Sequence, residues 1–113
     1  MVKPVEWLGS SRETVRSFPV EARLEVGYQL YRVQHGFEPF DWKPMQTVGS
    51  GVREIRVRTQ RAYRVIYVAK FKEAVYVLHA FLKKTSKTSQ ADIALARERF
   101  QRLMRRIRHG EKA

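Results

Sequence analysis

The chain has 113 residues, 43% of them apolar and 30% charged. One hydrophobic core covers that length and the balance argues against disorder, so a single domain over residues 1–113 is expected. It contains no cysteine, which excludes disulfides, thiol chemistry and Cys-ligated metal, and His35, His79 and His109 show no metal-ligand spacing. The longest apolar run is far too short to cross a bilayer and the N-terminus lacks a signal-peptide core, so a cytoplasmic location is expected.

Lys and Arg number 23 against 11 Asp and Glu, a net charge of +12. Residues 1–50 carry six of each sign, so the whole excess lies in residues 51–113, with 17 basic and five acidic side chains. Ordinary solvated surfaces mix signs. A concentrated positive field draws polyanions, nucleic acid first among them. An anionic membrane is the weaker alternative, because the charges are not laid out on one helix with a broad apolar side.

Residues 2–8 alternate weakly and read as a short edge strand, since Pro4 lacks a ladder donor. Ser10, Ser11, Arg12 and Glu13 have capping-box spacing and open a helix to about Phe18. Pro19 suits the first turn of a second helix that stops at Gly36. Its apolar stripe is read as Val20, Leu24, Tyr28 and Tyr31, widened by Leu30 and Val33. Residues 37–51 form a long connection in which Phe37, Phe40, Trp42 and Met45 are expected to anchor the loop to the core, with base stacking by Trp42 secondary.

From Arg53 the period becomes two, with Ile55 and Val57 on one face and Glu54, Arg56 and Arg58 on the other. Residues 62–69 and 74–82 are apolar on both faces and are expected at the centre of an antiparallel meander. A basic connector, Lys83-Lys84-Thr85-Ser86-Lys87, precedes a helix opened by Thr88 or Ser89, with Asp92 in capping-box position. Ile93, Ala96, Phe100, Leu103, Met104 and Ile107 form its buried stripe. Arg97, Arg99, Arg102, Arg105, Arg106 and Arg108 occupy the remainder, and with Glu98 alone for relief they are expected to need an anionic neighbour. The expected fold is α+β in the order β-α-α-β-β-β-α, a helical hairpin and a C-terminal helix packed on a small curved, mainly antiparallel sheet.

If the polyanion is RNA and the chain acts on it, cutting it without metal would need a base for the ribose 2′-OH, cations on the phosphate and an acid for the leaving 5′-oxygen. Arginine suits the second task, because its planar fork matches phosphate oxygens and keeps its charge. Arg56 and Arg58 share a strand face that Arg64 reaches if the register allows; the alternative is that exposed strand arginines only solubilise. His79 lies inside a strand and is either an acid or base near neutrality or a hydrogen-bonded structural residue. Lys83 and Lys84 follow the strand end and alternate in direction, so both being catalytic is not expected.

Three strings then resemble the RelE/HigB toxin superfamily, nearest its phage-derived HigB-like branch. They are Gly51-Val52-Arg53-Glu54-Ile55-Arg56, then Tyr63-Arg64-Val65-Ile66-Tyr67, then Leu78-His79-Ala80-Phe81-Leu82-Lys83-Lys84-Thr85-Ser86-Lys87-Thr88 followed by the helix over 91–100. The Gln34-His35-Gly36 helix end also fits, so the likeness spans nearly the whole chain. It implies a RelE-like fold and the toxin of a type II toxin–antitoxin pair. Such a toxin cleaves mRNA on the ribosome without metal or cofactor and is neutralised by a small helix-turn-helix antitoxin, here HigA-like. By motif position Arg56 and Arg64 match the basic pair of the RNA cleft, and Lys83 and Lys84 lie where further basic cleft residues are placed. The candidate catalytic set is therefore Arg56, Arg64, His79 and Lys83, with Arg53, Arg58, Lys84 and Lys87 as RNA contacts.

Two features depart from the pattern. Glu54 stands where some relatives carry a lysine, which leaves this carboxylate open as the base, and no tyrosine follows Tyr76, so the acid–base tyrosine of other branches has no counterpart. Two other readings stay open: a ParE-like gyrase inhibitor on the same scaffold, and an RNA-binding module without chemistry.

Overall fold

The computed structural model describes residues 2–110. Its elements are β1 (Val5–Trp7), α1 (Ser11–Arg16), α2 (Val20–Gln34), β2 (Trp42–Pro44), β3 (Val52–Arg58), β4 (Ala62–Val68), β5 (Val75–Leu82) and α3 (Gln90–Arg108). They build one five-stranded sheet in the order β1-β5-β4-β3-β2. β1 runs parallel to β5 and every other pair is antiparallel. The α+β class and the central place of β4 and β5 agree with expectation. The element order needs a correction to β-α-α-β-β-β-β-α, because β2 lies inside the 37–51 connection. Three residues ending in a proline are too few to show alternation. β2 exists through its partner, with Trp42 opposite Ile55 and Lys43 opposite Glu54.

Alternation divides the sheet's side chains between two helical layers. On one face Val15, Phe18, Ala22, Val26, Leu30 and Val33 of the α1–α2 hairpin region pack on Ile55, Val57, Tyr63, Val65, Val75 and Val77. On the other, Ala96, Phe100 and Leu103 of α3, with Met45 and Val48 of the β2–β3 loop, cover Val52, Ile66, Val68, Tyr76 and Leu78.

The buried stripe of α2 differs from the expected one. Ala22, Val26, Gln29, Leu30 and Val33 face the sheet. Val20, Leu24, Tyr28 and Tyr31 stand outside, 47 to 67% exposed. The helix is apolar on two sides, and the buried side is disguised by a small residue and a polar one. Gln29 is satisfied there, donating to Glu25 at 2.6 Å and accepting from the Phe40 amide at 2.8 Å. Phe37 and Phe40 are exposed rather than anchoring, whereas Met45 is buried as expected.

α3 buries Ala96, Phe100 and Leu103 as its periodicity predicts, and Arg99 with them. Arg99 donates to the Leu78 carbonyl at 2.9 Å and to Ser10 Oγ at 3.2 Å. Arg97 holds the Thr47 carbonyl at 2.6 Å, Arg102 pairs with Glu98 at 3.0 Å and Arg106 with Glu6 at 2.9 Å. Much of the arginine run therefore ties α3 to its own domain. Arg99 thus leaves the outward face expected of these six side chains, while Arg97, Arg102, Arg105 and Arg108 remain exposed on it.

Gly49 lies so close to α3 that a β-carbon there would collide with the Phe100 ring. Gly49→Ala is expected to cost about 1–3 kcal/mol through overpacking, read as a lower urea midpoint. No helix among the described residues is long and apolar enough to cross a membrane.

Candidate functional site

The strand register arranges the α3 face in rows. Val52 and Val68 lie in the packed part with Tyr76. The next row, Glu54, Ile66 and His79, meets the start of α3. Beyond it come Arg56, Arg64 and Phe81, and then Arg58 and Lys83 at the strand ends. In these last rows Arg64 and Phe81 are buried, Arg56 and Lys83 are half-buried and Arg58 is exposed, which makes a cationic strip whose accessible edge lies at the strand ends.

Arg56 sits directly opposite Arg64. Like charges in that position repel, so the pair requires a counter-ion. Glu54 supplies it from full burial: its Oε1 lies 3.7 Å from Arg64 Nε, 3.8 Å from Lys43 Nζ and 3.9 Å from Arg56 Nε. Its Oε2 accepts from Thr88 Oγ1 at 2.9 Å, which holds the 83–89 connector to the sheet. These ion contacts are longer than hydrogen bonds. The buried Nε atoms of Arg56 and Arg64 make no hydrogen bond among the described residues. Burial pulls the Arg64 guanidinium below its ordinary value, Glu54 opposes that shift and Arg56 adds to it. Lys83 faces the same charges. Burial lowers its amine below 10.5, Arg64 lowers it further and Glu54 opposes.

His79 reaches this face through an irregularity of β5. Ile66 pairs with His79 but Tyr67 with Val77, so Leu78 is an extra residue. Such a bulge turns two successive side chains, Leu78 and His79, to the same side. His79 Nε2 lies 2.7 Å from Asp92 Oδ1, and its ring stacks on Phe81 with centroids 5.3 Å apart. Asp92 belongs to the first turn of α3, where Ser89 Oγ accepts from its backbone N–H at 3.1 Å. A cleft of 630 Å³ is lined by His79, Phe81, Lys83, Lys84, Lys87 and Asp92. Across the connector a second, of 480 Å³, is lined by Lys43, Met45, Lys87 and Thr88 among others.

Arg56, Arg58, Arg64, His79 and Lys83 thus come together on one face, with Lys84 and Lys87 on the cleft wall. Arg53 does not join them. Alternation sends it to the opposite face, where its guanidinium lies 4.0 Å over the Trp42 ring and 3.4 Å from Glu38. Arg53 therefore stands apart from the other candidate RNA contacts, and the two-residue period of β3 already separates it from Arg56. Sequence reasoning missed Lys43, which sits in the unforeseen strand, and Thr88. Asp92 was legible only as a helix cap. Among the described residues, no group of three or more His, Asp and Glu is placed to hold a metal ion.

Residues 13–101 match the family model described as phage-derived protein Gp49-like (DUF891). The chain belongs to this family. Gp49-like proteins are RelE-like toxins of toxin–antitoxin systems, and the family therefore implies an antitoxin partner. The matched segment contains the whole Gp49-like cationic strip, from Lys43 through Arg56, Arg64, His79 and Lys83 to Asp92. No curated protein matches the chain.

Proposed function

We propose that this Gp49-like toxin is a HigB-like endoribonuclease that cuts mRNA on the ribosome in the cytoplasm, needs no metal or cofactor, and is neutralised by a HigA-like helix-turn-helix antitoxin. The observation that carries the reading is the pair of guanidinium Nε–H donors of Arg56 and Arg64. Both are buried beside the equally unsatisfied Glu54 Oε1, at 3.9 and 3.7 Å, too far for a hydrogen bond, and the two residues sit side by side on β3 and β4. Buried donors without partners are rare in folded proteins. A phosphate that bridged the outer nitrogens of the two forks would add the negative charge that Glu54 alone supplies to them, and is the anion their planar geometry suits.

In this scheme Arg56 and Arg64 neutralise the phosphoryl oxygens as charge builds, with Arg58, Lys84 and Lys87 gripping the flanking backbone. His79 takes the proton from the 2′-hydroxyl. The freed oxygen attacks phosphorus, the bond to the 5′-oxygen breaks, and Lys83 protonates that leaving oxygen. The products are a 2′,3′-cyclic phosphate and a 5′-hydroxyl. A lysine amine lowered by burial gives up its proton more readily than an exposed one. Cleavage needs its charged form, so the rate is expected to decline as pH rises through a value below 10.5. Single-turnover cleavage of ribosome-bound mRNA across the alkaline range checks this, with Lys83→Ala lacking that limb.

The decisive test is a translating extract programmed with end-labelled mRNA. Wild-type protein should truncate the message inside its coding region, and Arg64→Ala should leave it whole. Intact message together with inhibited DNA supercoiling would favour the gyrase-poison reading. Salt-sensitive RNA binding without cleavage would favour a module that only binds.

A further inference from the structure

We infer that Asp92 is the positioning residue of His79, and that it makes Nδ1 the nitrogen through which His79 meets RNA. The inference rests on the nuclease reading above and names the atom that does the work in it.

An ionised carboxylate only accepts hydrogen bonds. With Asp92 Oδ1 2.7 Å from His79 Nε2, the ring proton is held on Nε2. A neutral imidazole then carries its lone pair on Nδ1. Nδ1 has no hydrogen-bond partner among the described residues, and His79 lines the cleft that Lys83, Lys84 and Lys87 also line.

Asp92 is itself held in place. Its Oδ2 accepts from Ser89 Oγ at 2.6 Å, and its backbone sits in the first turn of α3, where the helix dipole favours negative charge. Ser89 caps the helix by accepting from the Asp92 backbone N–H, a bond that any residue at position 92 except proline would donate. The dipole and Ser89 Oγ account for a carboxylate at this helix start, and its other oxygen is the one turned to His79. On the other side the Phe81 ring, inclined by 21°, restrains the imidazole, and the Leu78 bulge sets where its Cβ points.

In the reaction Nδ1 accepts the 2′-hydroxyl proton while the O2′–P bond forms and the P–O5′ bond breaks. The departing oxygen takes its proton from Lys83, and exchange with water restores both groups. The imidazolium formed midway carries its charge against Asp92, which is the arrangement that lowers its cost.

The test combines ring-nitrogen NMR of the full chain, at a pH where the imidazole is neutral, with cleavage kinetics. In the wild type, Nε2 should give the signal of a protonated nitrogen and Nδ1 that of an unprotonated one. Asp92→Asn, which offers an amide donor in place of a carboxylate oxygen, should shift the proton toward Nδ1 and lower kcat by about 10²–10⁴-fold with little change in KM. Ser89→Ala loosens the helix start but keeps the carboxylate, so it should lower Tm and leave the tautomer unchanged. A proton on Nδ1 in the wild type would overturn the inference, as would near-normal kcat in a folded Asp92→Asn protein. Wild-type chain that leaves RNA uncut in the extract would instead overturn the nuclease reading, and the catalytic role of Nδ1 with it.

Discussion

Arg64→Ala is expected to slow RNA cleavage by about 10²–10³-fold, the loss typical of removing one donor from a charge-stabilising site. The variant strands part of the charge of the fully buried Glu54, with the half-exposed Arg56 at 3.9 Å and Lys43 at 3.8 Å left as counter-ions. Its Tm is therefore measured beside its rate, and cleavage is compared at a temperature where both proteins are folded. Arg64→Lys should recover little. An ammonium at this position carries the charge but not the two-pronged geometry, and it is more strongly hydrated than a guanidinium that is 8% exposed. Truncation rates in the translating extract and growth arrest on expression should fall in parallel. Unchanged cleavage would remove Arg64 from the site.

The second large effect is on stability. Glu54→Ala is expected to cost about 3–5 kcal/mol, measured by urea unfolding, because it strands a buried cation. The three partners do not share that penalty equally. Arg56 and Lys43 have side chains 35% and 39% exposed and are resolvated by water, so their contacts with Glu54 contribute little. The Arg64 side chain is 10% exposed and faces Arg56 across the strand pair, so it bears most of the loss. Thr88 also loses the acceptor that ties the connector down. Glu54→Gln keeps an acceptor for Thr88 but not the charge, and should fall between wild type and Glu54→Ala. A loss below about 1 kcal/mol for Glu54→Ala, the range of exposed pairs, would show that the cluster is solvated.

How much of this was legible in the sequence depends on how local each cause is. The strands β3, β4 and β5 and the long helix α3 follow from periodicity, and the two-residue period of β3 puts Glu54, Arg56 and Arg58 on one side. β2 was hidden because three residues that include Pro44 have no pattern of their own. The orientation of α2 was misread because Val20, Leu24, Tyr28 and Tyr31 make a convincing apolar stripe, while the buried side contains Ala22 and Gln29. The position of His79 depended on a bulge at Leu78, where no glycine marks it; strict alternation would have sent His79 to the face opposite Leu78. The burial of Glu54 arises from Thr88, 34 residues away, and from pairing with β2, neither of which is a local signal.

The most direct measurement is an NMR titration of arginine-labelled protein with a short, fully 2′-O-methylated RNA, which binds but lacks the attacking hydroxyl. The Nε–H resonances of Arg56 and Arg64 and the His79 ring nitrogens should shift together and saturate, with affinity falling steeply as salt rises. Shifts confined to the outer arginines of α3, with Arg56, Arg64 and His79 unmoved, would place RNA elsewhere and contradict a cationic sheet face as the seat of cleavage.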